Sequence, residues 1–96
     1  SNCSQVILYT RITTLKIDRS LFQNENDLRE KTLIRYIIQT AKELNMTTVA
    51  EGIETKGYVD FLKELGCDYV QGFYYYKPMS VEDFEELFVK NPITSA

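Results

Sequence analysis

Lys16, Glu51 and Gln71 each stand at or near the end of a short apolar run, and a helical pattern begins soon after each run. A carboxylate in such a place can reach a divalent cation, and an amide can face a ligand. In parallel α/β barrels, active-site groups stand at the C-terminal ends of the strands. The pattern therefore predicts one polar site built from three strand ends.

The Glu51–Glu54 segment has two interpretations. The two carboxylates are three positions apart with Gly52 between them, and glycine lets the backbone turn tightly enough to aim Glu51 at a cation. In the alternative, Glu51 caps a loop and Glu54 begins a helix, where acidic residues favour the helix dipole. Spacing alone leaves both open.

Lys16 and Gln71 also allow ordinary structural roles. A lysine between Leu15 and Ile17 is costly to bury unless it has a partner, but it could equally protect an edge strand from aggregation. Gln71, before Gly72, could be a buried hydrogen-bonding amide or a ligand-facing group. The aromatic run 73–76 suits a stacking surface or a core strand.

Hydrophobic periodicity predicts alternating strands and helices that would position these groups. Asp27 with Glu30 indicates a capped helix start, and Asn45 and Gly66 indicate helix ends. The segment Gln5–Ile12 could be a strand or the tail of a helix. The predicted order is a strand over Thr13–Asp18, a helix over Leu28–Leu44, a strand over Thr47–Ala50, a helix striped by Tyr58, Phe61, Leu62 and Leu65, a strand within Asp68–Tyr76, and a helix from Ser80 through Phe88 to Asn91–Pro92.

Composition narrows the class of protein. A net charge of −3 over 96 residues offers no basic surface for a nucleic-acid polymer. No apolar run is long enough to cross a bilayer, so no membrane contact is expected from this segment. Cys3 and Cys67, far apart and without histidine, indicate free cytosolic thiols. A βαβαβα order favours a parallel sheet, but a complete barrel needs roughly 250 residues.

Five motifs follow one another along the chain: Leu15-Lys16-Ile17-Asp18-Arg19-Ser20, Val49-Ala50-Glu51-Gly52-Ile53-Glu54-Thr55, Leu65-Gly66-Cys67-Asp68, Gln71-Gly72-Phe73 and Lys77-Pro78. In order and spacing they resemble the C-terminal portion of the EAL domain, the bacterial family of cyclic di-GMP phosphodiesterases. The resemblance spans about residues 15–88, so the whole chain, 1–96, is interpreted as the C-terminal fragment of such a domain.

This resemblance implies an α/β fold, a partial TIM-type barrel of about three parallel strand–helix units. It implies metal-dependent hydrolysis of cyclic di-GMP to linear pGpG with Mg²⁺ or Mn²⁺. By position, Lys16 resembles the lysine that contacts the metal-bound water or the phosphate, and Glu51 the carboxylate that supports the metal and the attacking water. Glu54 resembles the glutamate that stabilises a neighbouring catalytic loop, and Gln71 the glutamine near the metals.

The chain lacks the Glu-Ala-Leu signature and the Asp-Asp-Phe-Gly motif of the family. Most of the metal ligands are therefore missing, and the isolated chain is expected to be inactive and to bind no metal on its own. The alternative is a truncated or degenerate module that acts in protein interaction or nucleotide sensing. An open sheet taken from a barrel also predicts self-association, as a dimer. The expected location is the bacterial cytoplasm.

Overall fold

A computed structural model describes residues 13–72 and 78–90 of the chain. Apart from one short extra strand, strands and helices alternate as the hydrophobic periodicity predicts. A 3-10 turn, Arg19–Leu21, follows the strand Thr14–Ile17. The elements are β1 (Thr14–Ile17), α1 (Leu28–Glu43), β2 (Thr47–Ile53), α2 (Lys56–Leu65), β3 (Tyr69–Gly72), β4 (Met79–Ser80) and α3 (Val81–Lys90).

The four strands form one sheet in the order β1-β2-β3-β4, so strand order follows sequence order. β1, β2 and β3 are mutually parallel, as the βαβαβα pattern predicts. β4 is an addition that the sequence pattern did not indicate. Its two residues pair antiparallel with β3, where Met79 lies opposite Val70.

Helix ends occur where the capping residues predict. The side chain of Asp27 accepts a hydrogen bond from the backbone of Arg29 at the start of α1, and Asn45 adopts a left-handed conformation (φ 57°) just beyond its end. Gly66 closes α2 with φ 80°. Ser80 directly precedes α3, and its Oγ accepts a hydrogen bond from the backbone N–H of Asp83 at 3.1 Å.

All three helices pack on one face of the sheet. Ile17, Ala50 and Val70 are register partners on that face, and each is almost completely buried. They form one core with buried side chains of the helices: Ile34, Ile38, Tyr58, Val59, Leu62, Val81 and Phe84. An amphipathic helix on each crossover thus covers the outer face of the sheet.

The opposite face is the one that would line a barrel. Lys16, Val49 and Tyr69 are register partners there, and Lys16 and Tyr69 are exposed. Val49 therefore does not belong to the core under the helices, and its neighbour Ala50 does.

Several predicted features lie outside the described residues: the segment Gln5–Ile12, the aromatic run 73–76, the helix end at Asn91–Pro92, Cys3 and Lys77. Cys67 is a buried free thiol, as predicted. Within 13–72 and 78–90, no helix combines the length and the hydropathy that a membrane span requires.

Candidate functional site

Glu51 and Gln71 are register partners at the C-terminal end of the parallel sheet. Lys16 pairs with Val49, two residues before Glu51, so it lies on the same face but about 7 Å further back along the strand direction. The predicted arrangement of Lys16, Glu51 and Gln71 at one sheet end is therefore confirmed. Glu51 and Gln71 are half-buried, and Lys16 is exposed.

A bulge at Gly52 sets the direction of the residues around it. Glu51 pairs with Gln71, but Ile53 pairs with the next residue of β3, Gly72, so Gly52 is an extra residue with φ 74°. Without the bulge, Glu51 and Ile53 would point to the same face. With it, Ile53 joins the helix-covered core at 1% exposure while Glu51 remains on the opposite face.

The 3-10 turn after β1 packs directly over this bulge. A Cβ atom at Gly52 would overlap the Cβ atom of Arg19, so the glycine allows both the positive φ and the close approach. Asp18 caps the turn, accepting a hydrogen bond from the backbone N–H of Ser20 at 2.9 Å. Hydrogen bonds from the side chain and backbone of Ser20 hold the pKa of Asp18 below its ordinary value.

Glu54 follows β2 and borders a polar cavity of about 340 Å³. One wall is the loop between β1 and α1, and the other is the segment that leads from the bulge into α2. The lining residues are Phe22, Gln23, Asn24, Glu25, Asn26, Gly52, Glu54, Thr55 and Tyr58. Glu54 itself is exposed. Its proximity to this loop is compatible with the loop-stabilising role that its position implies, and that role stays a prediction.

Glu30 organises this region, and its role differs from the helix capping that its spacing from Asp27 predicts. The capping pattern predicts that Glu30 returns to the backbone of Asp27. Instead, its Oε1 accepts hydrogen bonds from the backbone N–H groups of Gln23 (2.7 Å) and Asn24 (2.8 Å), and its Oε2 accepts one from the hydroxyl of Tyr58 (2.5 Å). No pattern in the sequence indicated the contact with Tyr58, which is 28 positions away.

Both partners of this contact titrate away from their ordinary values. Partial burial raises the pKa of Glu30, but hydrogen bonds from Tyr58, Asn24 and Gln23 outweigh it and leave the pKa below the usual range. Burial, followed by the hydrogen bond to Glu30 and its charge, raises the pKa of Tyr58. At neutral pH the pair is therefore a carboxylate and a neutral phenol.

The structure also bears on the alternative interpretations. Glu51 lies inside β2, so it does not cap a loop, and the N-cap of α2 is Thr55 rather than Glu54. In the described part of the sheet β1 is an edge strand, so the protective role of Lys16 remains compatible with its exposed position. Gln71 is half-buried, and both of its proposed roles remain open.

Glu51 and Gln71 offer oxygen donors of the kind that Mg²⁺ and Mn²⁺ prefer. Across residues 13–72 and 78–90, however, no three acidic or cysteine side chains come close enough together to hold a metal ion. These residues fit a metal site as a partial ligand set, to which other side chains would have to contribute.

Comparison with known proteins identifies the class. The family model of the EAL domain matches residues 1–78, and the chain belongs to this family. Solved EAL structures share its fold. An EAL domain protein from Listeria monocytogenes superposes with a TM-score of 0.63 at 30% identity, over 95% of this chain and 36% of that one. The prediction of an α/β fold that forms part of a TIM-type barrel is thereby confirmed.

Two relatives are particularly informative. One is MucR of Pseudomonas aeruginosa, which is named as a bifunctional diguanylate cyclase/cyclic di-GMP phosphodiesterase. This chain is 41% identical to MucR over 70 residues, and the match covers 71% of this chain and 10% of MucR. A MucR phosphodiesterase structure in complex with cyclic di-GMP superposes with a TM-score of 0.60 at 30% identity, over 82% of this chain and 36% of that one.

The second relative, PdeB of Escherichia coli, is named a probable cyclic di-GMP phosphodiesterase. It is 40% identical over 73 residues, covering 76% of this chain and 14% of PdeB. The chain therefore spans only a small part of the length of these two relatives.

Proposed function

We propose that this chain is the C-terminal part of a domain that hydrolyses cyclic di-GMP to linear pGpG. The observation that supports this most directly is the register pairing of Glu51 with Gln71 on the same sheet face as Lys16, at the strand ends where barrel enzymes hold their catalytic groups. MucR, which matches this chain, is named for the same reaction and has been solved with cyclic di-GMP.

In the proposed reaction Lys16 binds the phosphate or the attacking water. Glu51 positions that water and provides one metal ligand, and Gln71 places its amide beside Glu51. Glu54 stabilises an adjoining loop. Bound Mg²⁺ or Mn²⁺ would supply activation of water and neutralisation of the charge that develops on phosphate. The bulge at Gly52 keeps Glu51 on the face that these roles require.

The isolated 96-residue chain is expected to be inactive, because its partial ligand set is too small for two divalent ions. The second candidate is a module that senses the nucleotide or binds another protein without catalysis. The presence of Lys16, Glu51, Glu54 and Gln71 together favours the enzyme, because a non-catalytic copy does not need all four.

A chimera tests this proposal. This chain replaces the matching C-terminal segment of the MucR phosphodiesterase domain, with which it shares 41% identity. Chromatography then measures pGpG formation with Mn²⁺ for the chimera and for the isolated chain. The proposal predicts hydrolysis by the chimera and none by the isolated chain. A chimera that does not fold, or folds without hydrolysing cyclic di-GMP, contradicts it.

We also propose a cytoplasmic location and self-association of the isolated chain as a dimer. Support for self-association comes from the β1 edge, which has no further strand beside it in the described part of the sheet, and from Tyr69, which is 43% exposed on the face opposite the helices. Exposed edges and open sheet faces favour pairing with another chain. Sedimentation equilibrium at micromolar concentration should give a dimer mass, and a monomer that melts cooperatively would contradict this.

A further inference from the structure

The loop between β1 and α1 is attached to two helices through one side chain. Glu30 lies in the first turn of α1 and binds the backbone N–H groups of Gln23 and Asn24, while Tyr58 in the first turn of α2 donates to its other oxygen. Hydrogen bonds that involve a charged group are stronger than neutral ones. We refer to these four residues, Gln23, Asn24, Glu30 and Tyr58, as the Glu30 latch.

The latch adjoins the segment that contains the candidate catalytic carboxylates. The backbone N–H of Tyr58 donates to Oγ1 of Thr55 at 3.2 Å, and Thr55 directly follows Glu54. Gln23 and Asn24 line the same polar cavity as Gly52 and Glu54. Loss of the latch would therefore loosen both walls of this cavity at once.

The hydrogen bond to Glu30 can be separated from the packing around Tyr58. The ring of Tyr58 meets that of Phe22 edge-on, with centroids 5.3 Å apart and an interplanar angle of 84°. Phenylalanine at position 58 would keep this contact and remove the hydroxyl alone. Tyr36, which is 61% exposed on α1, offers a matched control for the same chemical change.

We propose that Glu30 is a positioning residue. Together with Tyr58 it fixes the loop between β1 and α1 against the segment that holds Glu51 and Glu54, so that strand ends and loop form one rigid rim. The catalytic consequence rests on the proposed phosphodiesterase function, but the contact itself can be measured without catalysis.

Amide hydrogen exchange of the full 96-residue chain, followed by NMR, measures the contact. Tyr58→Phe should speed exchange at Gln23 and Asn24 about tenfold, although Tyr58 makes no hydrogen bond to either amide, because Glu30 loses the partner that holds it in place. Tyr36→Phe should leave both amides unchanged. Equal exchange in the Tyr58→Phe variant and its control would overturn the proposal.

The MucR chimera measures the catalytic consequence. Glu30→Gln and Tyr58→Phe should each lower kcat about tenfold with KM changed less than about twofold, the loss typical of residues that orient a catalytic group. Glu43→Gln, an exposed change at the other end of α1, should have no effect.

The result for Glu51→Ala separates the two proposals. If Glu51→Ala abolishes hydrolysis while the latch variants behave like Glu43→Gln, the positioning role is wrong and the proposed function stands. An inactive chimera would contradict the proposed function and the catalytic part of this inference, and hydrogen exchange would still decide whether the latch holds the loop.

Discussion

Glu51 and Gln71 lie side by side on neighbouring parallel strands, and the residue after Glu51 is a bulged glycine. The bulge has a clear consequence for side-chain direction. It allows Glu51 to face the open side of the sheet while Ile53, two positions later, enters the core. On a regular strand, Glu51 and Ile53 would point to the same face of the sheet, because they are two positions apart.

Gly52→Ala should therefore destabilise the chain by about 1–3 kcal/mol, because alanine at φ 74° is strained and its Cβ would overlap that of Arg19. Urea unfolding followed by circular dichroism measures this cost. Gly57→Ala is the matched control, since Gly57 has no positive φ and a methyl there meets only the end of the Glu25 side chain, which can rotate away. Equal costs at both positions would contradict the role given to the bulge.

The latch predicts a pH dependence of stability. The pKa of Glu30 is lower in the folded chain than its ordinary value of 4.5. The stabilisation of the folded state by ionised Glu30 is therefore present above that value and is lost as the pH falls through the folded-state pKa. The free energy of unfolding should fall less for Glu30→Gln than for the unsubstituted chain between about pH 6 and about pH 3. For Glu43→Gln, the free energy of unfolding should fall over this pH range as much as it does for the unsubstituted chain. An equal fall for Glu30→Gln would refute this assignment.

A second polar pair stabilises the opposite end of the sheet. Thr48 is fully buried, and both its backbone N–H (2.9 Å) and its hydroxyl (3.2 Å) donate to Oδ2 of Asp68, whose N–H donates back to the hydroxyl at 3.1 Å. Asp68→Ala should cost about 1–3 kcal/mol, because it leaves buried donors without a partner.

Thr48→Val provides the other arm of a double-mutant cycle. The double variant should be more stable than the sum of the single losses predicts, by about 1 kcal/mol, because both changes break the same contacts. Additive losses in chemical denaturation would contradict the pairing. This pair is remote from the C-terminal strand ends, so in the MucR chimera Asp68→Ala should affect the melting temperature and leave kcat unchanged.

Much of the fold was predictable because its local signals agree with one another. The helical spacing of the apolar residues Ile34, Ile38 and Ala41 agrees with the cap at Asp27 on the position of α1, and Gly66 marks the end of α2. The side of each strand residue was harder to predict. The register of β2, and with it the placement of Val49 and Ala50, depends on pairing with β1 and β3, which alternation alone does not define.

The residues of the candidate site also divide into those that the sequence indicates and one that depends on tertiary packing. Lys16, Glu51 and Gln71 could be selected from strand-end patterns and from the resemblance to the EAL family. Glu30 could not, because Asp27 and Glu30 match a local capping pattern and the actual partners of Glu30 are set by tertiary packing. A carboxylate facing a buried tyrosine across two helices leaves no periodic signal in one sequence.

The most direct test of the account is the rate of pGpG formation by the MucR chimera with Glu51→Ala, compared with Glu64→Gln as an exposed carboxylate control on α2. We predict that Glu51→Ala lowers kcat by at least about a hundredfold with an unchanged melting temperature, because positioning of water and metal provides much of the catalysis. Glu64→Gln should retain the full rate. A Glu51→Ala chimera as active as this control would contradict the assignment of Glu51, and with it the proposed active site.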